Sequence, residues 1–273
     1  MNPPSPGLPP PRVAPNARHA FGGIWRLTVR PFLTPGHGLV LAGTLSLFAL
    51  VSVSSVHDGR ADQYFQDSNG NGLLGIYLKL LVPIVAFVFG AGAIRDDLKP
   101  GSVDYVFTRP VRRPVFIVFR YLAHMACTQA DFVLALGVLI GAGRFRHIPD
   151  LLSAVPMLFL AQALLIAAFS AFGMLCGILT SRYMILGFLY AGAVEVGIGH
   201  IPTQLSRLSM TRQVWRMLQP LMAERVPVAP LAGQNPGVLM TVGLLLAFSA
   251  VMLAATVATF ALRELAGAPG REA

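Results

Sequence analysis

Three ionisable side chains, Lys79, Asp131 and Glu195, stand within long apolar stretches of the sequence. A charge in hydrocarbon is costly, so each is a candidate for ion or substrate handling until something simpler accounts for it. Lys79 lies about six residues from one end of its stretch, near enough for its stem to carry the ammonium to an interface. Glu195 is also close to an end. Asp131 falls midway along its stretch, where that escape is hardest; a proton or substrate role competes there with a hydrogen bond to a neighbouring helix. A second concentration of reactive groups lies between apolar stretches, at 101–120, GSVDYVFTRPVRRPVFIVFR. Arg109, Arg112 and Arg113 offer planar donors for carboxylates or phosphates. Pro110 and Pro114 fix the backbone around them, and Gly101 admits conformations closed to other residues.

No catalytic set accompanies these groups. A phosphate-binding loop needs glycines that open backbone amides and a lysine for the phosphates. Neither Lys79 nor Lys99 follows such a run, so the chain is not expected to hydrolyse ATP or to be an enzyme. HExxH and GxSxG are also missing from the sequence. Cys127 and Cys176 fall inside apolar stretches with no CxxC, and they read as small packing residues. Met210, Met217 and Met222 do not converge on one helical face as a thioether site would require. No metal site and no cofactor are expected in this chain.

The elements that must position these groups are membrane helices. The 273 residues are 55% hydrophobic and 12% charged, with a mean hydropathy of +0.64. A soluble domain carries about 25% charged residues, so this chain cannot coat itself for water. Six apolar segments, at about 39–56, 73–94, 121–141, 151–180, 183–200 and 237–262, approach the length of a bilayer span. The expected fold is an all-α integral membrane protein of six transmembrane helices. It comprises a proline-rich tail at 1–19, a membrane domain at 20–265 and a short tail at 266–273. In FGGIWRLTVRPF, Phe21, Ile24, Trp25 and Phe32 share one side of a helical wheel away from Arg26 and Arg30, which predicts an N-terminal interfacial helix. Residues 208–222 are amphipathic as well, and they fit either a second interfacial helix or one packed against protein. GVLIG (137–141) and GMLCG (173–177) allow close helix approach and are weak indicators of a dimer seam.

The net charge of +9 and pI near 10.4 would suggest nucleic acid in a soluble protein. Here they fit basic loops on the cytoplasmic side of a membrane, against anionic lipid, with no nucleic acid involved. With the N-terminus inside, the inner segments hold thirteen Lys and Arg and the outer ones seven. Both termini are therefore expected in the cytoplasm.

Read from Ile94, IRDDLKPGSVDYVFTRPVRRPVFIVFRYLA resembles the first cytoplasmic loop of type-2 ABC exporter permeases. The pattern of that family is an acidic residue, three residues, Gly-Ser/Thr, then eight residues counted from the glycine to a Pro-x-x-Arg, and a basic residue seven after that arginine. Asp97, Gly101-Ser102, Pro110, Arg112-Arg113 and Arg120 occupy those positions. Aspartate stands at 97 where glutamate is commoner, and arginine at 120 where lysine is commoner; both keep the charge. The resemblance implies one transmembrane half of an exporter in the plasma (inner) membrane. It would pair with a second copy or a paralogue, and a separate ABC ATPase subunit would bind ATP and Mg. Asp97, Gly101, Ser102, Pro110, Arg112, Arg113 and Arg120 would then form the ATPase-coupling loop. Apart from the resemblance, the place of Asp131 and Glu195 inside apolar stretches makes them the candidate polar site within the membrane. Two other readings compete. An ion-gradient-driven secondary transporter would need Asp131 or Glu195, and a non-transporting assembly protein would tolerate their loss.

Overall fold

The computed structural model describes residues 17–55, 64, 72–95, 113–148, 151–198, 209–223 and 237–267. Apart from short turns, the described residues are helical. Helices α1 (Ala17–Phe32) and α2 (Pro35–Ser55) come first. Next come α3 (Leu73–Arg95), α4 (Arg113–Phe145) and α5 (Leu151–Leu179). Then follow α6 (Tyr183–Tyr190), α7 (Met210–Ala223) and α8 (Val238–Gly267). Two stretches wind more loosely as π-helix: Tyr77–Leu81 within α3, and Ala191–Ile198 continuing α6.

Four helices, α3, α4, α5 and α8, are long and apolar enough to cross a membrane. The chain is a membrane-embedded helical protein. The first expected span forms the second arm of a pair, α1 and α2, bent by 52°. Sequence explains the bend. Thr34 caps α2 by accepting the His37 backbone N–H at 3.3 Å, and Pro35 takes the first helical position, where its missing N–H costs nothing. The fifth expected span is shorter than the others, an apolar helix at Tyr183–Glu195. The third is longer than its apolar core, because α4 starts at Arg113 rather than near 121.

The centre of the fold is the pair α3 and α5, which touch backbone to backbone. A Cβ on Gly90 would lie 2.5 Å from the Ser170 carbonyl oxygen, and one on Gly177 2.6 Å from that of Ala91. Gly173 abuts the Phe87 carbonyl in the same way. The GMLCG motif is thus an internal seam. On α4, by contrast, Gly137 and Gly141 have nothing within 4 Å of the corresponding positions. Tyr77 ties the pair to α4: its buried hydroxyl lies 3.1 Å from the Phe132 carbonyl and 2.6 Å from Oε1 of Gln162. One hydroxyl proton serves one acceptor. Turning the Gln162 amide over would let its NH2 donate to Tyr77 while Tyr77 donates to Phe132, and the amide oxygen would then take the buried position that has no partner among the described residues. Helices α1 and α2 pack on α4, whereas α8 lies against α5.

The second amphipathic segment is protein-packed. In α7 the apolar Val214, Trp215 and Leu218 are buried, and so are Gln213, Arg216 and Gln219 on the opposite face. The interfacial alternative for 208–222 therefore gives way to the packed one.

Candidate functional site

The structure brings the chemistry-bearing residues together in three places. The first is the base of the 96–112 loop. Asp97, Gly101, Ser102, Pro110 and Arg112 lie outside the described residues, as does Arg109. Arg113 begins α4. Arg120, two turns further along, reaches two other helices: Nη1 donates to Thr28 Oγ1 of α1 at 2.7 Å, and Nε to the Ala93 carbonyl of α3 at 3.3 Å. Thr28 passes its own proton to the Ile24 carbonyl at 2.9 Å. Phe21 packs edge-on against Phe119, with ring centres 5.1 Å apart, so α1 is docked on α4 by a polar and an aromatic contact. Its exposed face carries Arg26 and Arg30. Where the loop departs, Arg95 Nη1 donates to the carbonyls of Ser181 at 2.5 Å and Thr180 at 3.4 Å, and its guanidinium lies over Tyr183. Those carbonyls follow the last turn of α5, where a cation is favoured. The two helices that flank residues 96–112, α3 and α4, are thus each bonded to a neighbouring element by an arginine.

The second place is Asp131. It is not isolated midway across the fold: Oδ2 accepts from His37 Nε2 at 3.2 Å. His37 is the third residue of α2, so the pair sits level with the start of that helix. Phe32 stacks edge-on with both His37 and His124, and Phe89 lies beside the same two rings. His124 is buried, and its Nε2 has no partner among the described residues.

The third is Glu195, which does not snorkel. Its Oε1 accepts from Tyr190 Oη at 3.1 Å and from the Met210 backbone N–H at 3.0 Å. Its Oε2 accepts from Ser209 Oγ at 2.6 Å and from Thr211 Oγ1. Ser209 also accepts the Arg212 N–H at 3.2 Å, as the N-cap of α7. A carboxylate against the first turn of a helix meets both its free N–H groups and its positive end. Glu195 therefore anchors α7 to the membrane bundle. Asp131 and Glu195 belong to separate clusters and do not form one polar site.

Lys79 lies in the π-helical part of α3, with its ammonium 4.7 Å from the centre of the Trp215 ring on α7. Cys127 and Cys176 are both free thiols. Among the described residues no group of three or more His, Cys, Asp or Glu converges as a metal site would.

Sequence reading missed His37, Arg95, Tyr77 and Gln162. Gln162, the one amide side chain in the fourth apolar segment, was the visible signal for a buried hydrogen bond. His37 and Arg95 carry no such mark, because their partners are distant in sequence. No protein-family model matches the chain, and no curated protein matches it. The likeness to exporter permeases therefore rests on the residues of the 97–120 loop.

Proposed function

We propose that the chain is the transmembrane half of an ATP-binding-cassette exporter, powered by a separate ATPase subunit and paired with a second permease. The observation that carries this reading is the spacing of Asp97, Gly101-Ser102, Pro110, Arg113 and Arg120 in one basic, proline-stiffened loop. The anchoring of that loop supports it. A lever must be held firmly where it meets the bundle; Arg95 bonds the end of α3 to the turn after α5, and Arg120, two turns into α4, bonds α4 to α1 and α3. In this reading α1 lies on the inner leaflet and α2 is the first span. Helices α3, α4 and α5 follow, α6 with its π-helical continuation is a short fifth, and α8 is the sixth, so both termini are cytoplasmic. Closure of the ATPase on ATP would press on the loop and shift α3 and α4 together.

The test is copurification of the tagged chain from its native membrane, with ATPase activity measured for the wild type and for Gly101→Trp/Arg113→Glu. A P-loop protein that copurifies, and whose turnover the double substitution uncouples, supports the reading. No ATPase under mild detergent overturns it.

The pairing of Asp131 with His37 favours a second reading, a transporter driven by an ion gradient. It requires that Asp131→Asn abolish flux with no ATPase bound.

A further inference from the structure

Helix α1 is docked on the bundle by most of the face that its sequence marks as membrane-seeking. Phe21 packs on Phe119 of α4, and Phe32 on Phe89 of α3 and His124 of α4. Ile24 and Thr28 are buried, and Arg120 bonds Thr28 from the same side. That apolar face is therefore used against protein, and it does not hold α1 in hydrocarbon. The residues α1 turns outward include Arg26 and Arg30. At about 100° per residue they stand about 200° and 240° around the helix from Ile24. Positions one turn apart have Cβ atoms about 5–6 Å from each other, so both guanidiniums can reach one anion.

The charge of this pair is not answered within the chain. Neither arginine has a hydrogen bond or an ion pair among the described residues. Residues 1–57 hold no Asp or Glu at all. Exposed apolar side chains adjoin the pair: Trp25 and Leu27 on α1, Leu33 just past its end, and Leu39 on α2. Cations set among exposed apolar groups match the level where lipid headgroups meet hydrocarbon. An acidic soluble partner would answer the two charges but not the apolar side chains that continue past them onto α2.

We propose that Arg26 and Arg30 form a binding site for the phosphate of an anionic phospholipid in the leaflet on which α1 lies. The Arg120–Thr28 bond and the Phe21–Phe119 contact fix the helix so that both guanidiniums face outward before any lipid arrives. The contact is with the headgroup, since the apolar side of the helix is already occupied. This inference deepens the placement of α1 on the inner leaflet and does not depend on an ATPase.

The test uses the full chain in vesicles of phosphatidylglycerol and phosphatidylcholine at equal mole fractions, with one lipid or the other brominated in its acyl chains to quench tryptophan. The chain has two tryptophans, and the difference between wild type and Trp25→Phe isolates the signal of Trp25, next to Arg26. Phosphatidylglycerol is expected to be favoured beside Trp25 by at least about five-fold, the ratio that corresponds to about 1 kcal/mol for one basic residue near anionic lipid. Arg26→Gln/Arg30→Gln should bring the ratio to parity. Arg182→Gln, which removes an exposed arginine between α5 and α6, should leave it unchanged. Equal quenching by the two lipids in the wild type, a preference that survives the double substitution, or one that Arg182→Gln removes equally would each overturn the headgroup site while leaving α1 at the membrane. Quenching of Trp25 by neither lipid would overturn the placement of α1 as well.

Discussion

Gly177→Ala gives the sharpest test of how the bundle is built. The added Cβ would sit 2.6 Å from the Ala91 carbonyl oxygen and 3.0 Å from its Cα. Both are backbone atoms of the facing helix, so no side chain can turn aside. Restoring an ordinary contact of 3.4 Å requires α3 and α5 to part by about 0.8 Å along that line. A gap of 0.5–1 Å forfeits about a quarter to a half of the dispersion attraction of the atoms lining it. Together with the steric term, overpacking of this kind costs about 1–3 kcal/mol; the backbone target places Gly177→Ala near the upper end. Gly137→Ala and Gly141→Ala are the controls. Their motif looks the same in sequence but faces open space, so relief of glycine's helix penalty should leave stability unchanged or raised by about 0.5–1 kcal/mol. The assay is equilibrium unfolding in mixed detergent micelles for all three variants. If Gly177→Ala proves as harmless as Gly137→Ala, α3 and α5 do not approach as described. If Gly137→Ala is equally damaging, that motif is a seam as well, and a second copy is its natural occupant.

Further outcomes follow from the polar contacts. Glu195→Ala removes the anchor of α7 and leaves Ser209, Thr211 and the Met210 N–H short of an acceptor; a loss of about 2–3 kcal/mol and faster hydrogen exchange over 210–214 are expected. Tyr77→Phe leaves Gln162 without its partner in the core, and unfolding should register a cost of about 1–3 kcal/mol. His147→Gly should stabilise the chain. His147 has φ 55°, and the N–H groups of His147 and Ile148 bond back to Arg144 and Gly143 in the manner of a glycine-ended helix. Relief of the left-handed penalty, less glycine's greater freedom when unfolded, gives about 0.5–1 kcal/mol in a thermal melt.

The helices were largely legible in sequence because their period and length are set by composition. The fourth apolar segment, 151–180, matches Leu151–Leu179 almost to the residue. What sequence left open was partnership. The α7 segment has the same polar and apolar faces whether its apolar side meets lipid or protein, and only the burial of Gln213, Arg216 and Gln219 decides between them. The two GxxxG motifs are equivalent as text, and they differ in whether a neighbour with small residues of its own, here Gly90 and Ala91, comes opposite. Asp131 drew attention as a lone charge because its partner, His37, lies in another segment and carries no distinguishing pattern.

The use of charge across the fold bears on the coupling role proposed for residues 96–112. Several of the described ionisable groups bond at helix ends. Arg146 donates to the Val53 carbonyl near the end of α2, Arg95 to the carbonyls after α5, and Glu195 accepts from the start of α7. Arg120 differs, since it lies within α4 and joins two other helices at once. A guanidinium can do this because its Nε and Nη1 point in fixed, separate directions, whereas an ammonium is a single point. Arg120→Lys keeps the charge and should retain only one of the two bonds. The bond to Thr28 is the shorter and reaches a side chain able to rotate, so it is the one a lysine can still make. The tie to Ala93 should be lost, loosening α3 against α4 while α1 stays docked. Hydrogen exchange is then expected to rise at 90–95 and to stay unchanged at 21–30. If exchange rises at 21–30 instead, Arg120 serves chiefly to hold α1, and its bond to the Ala93 carbonyl does not secure α3 against α4.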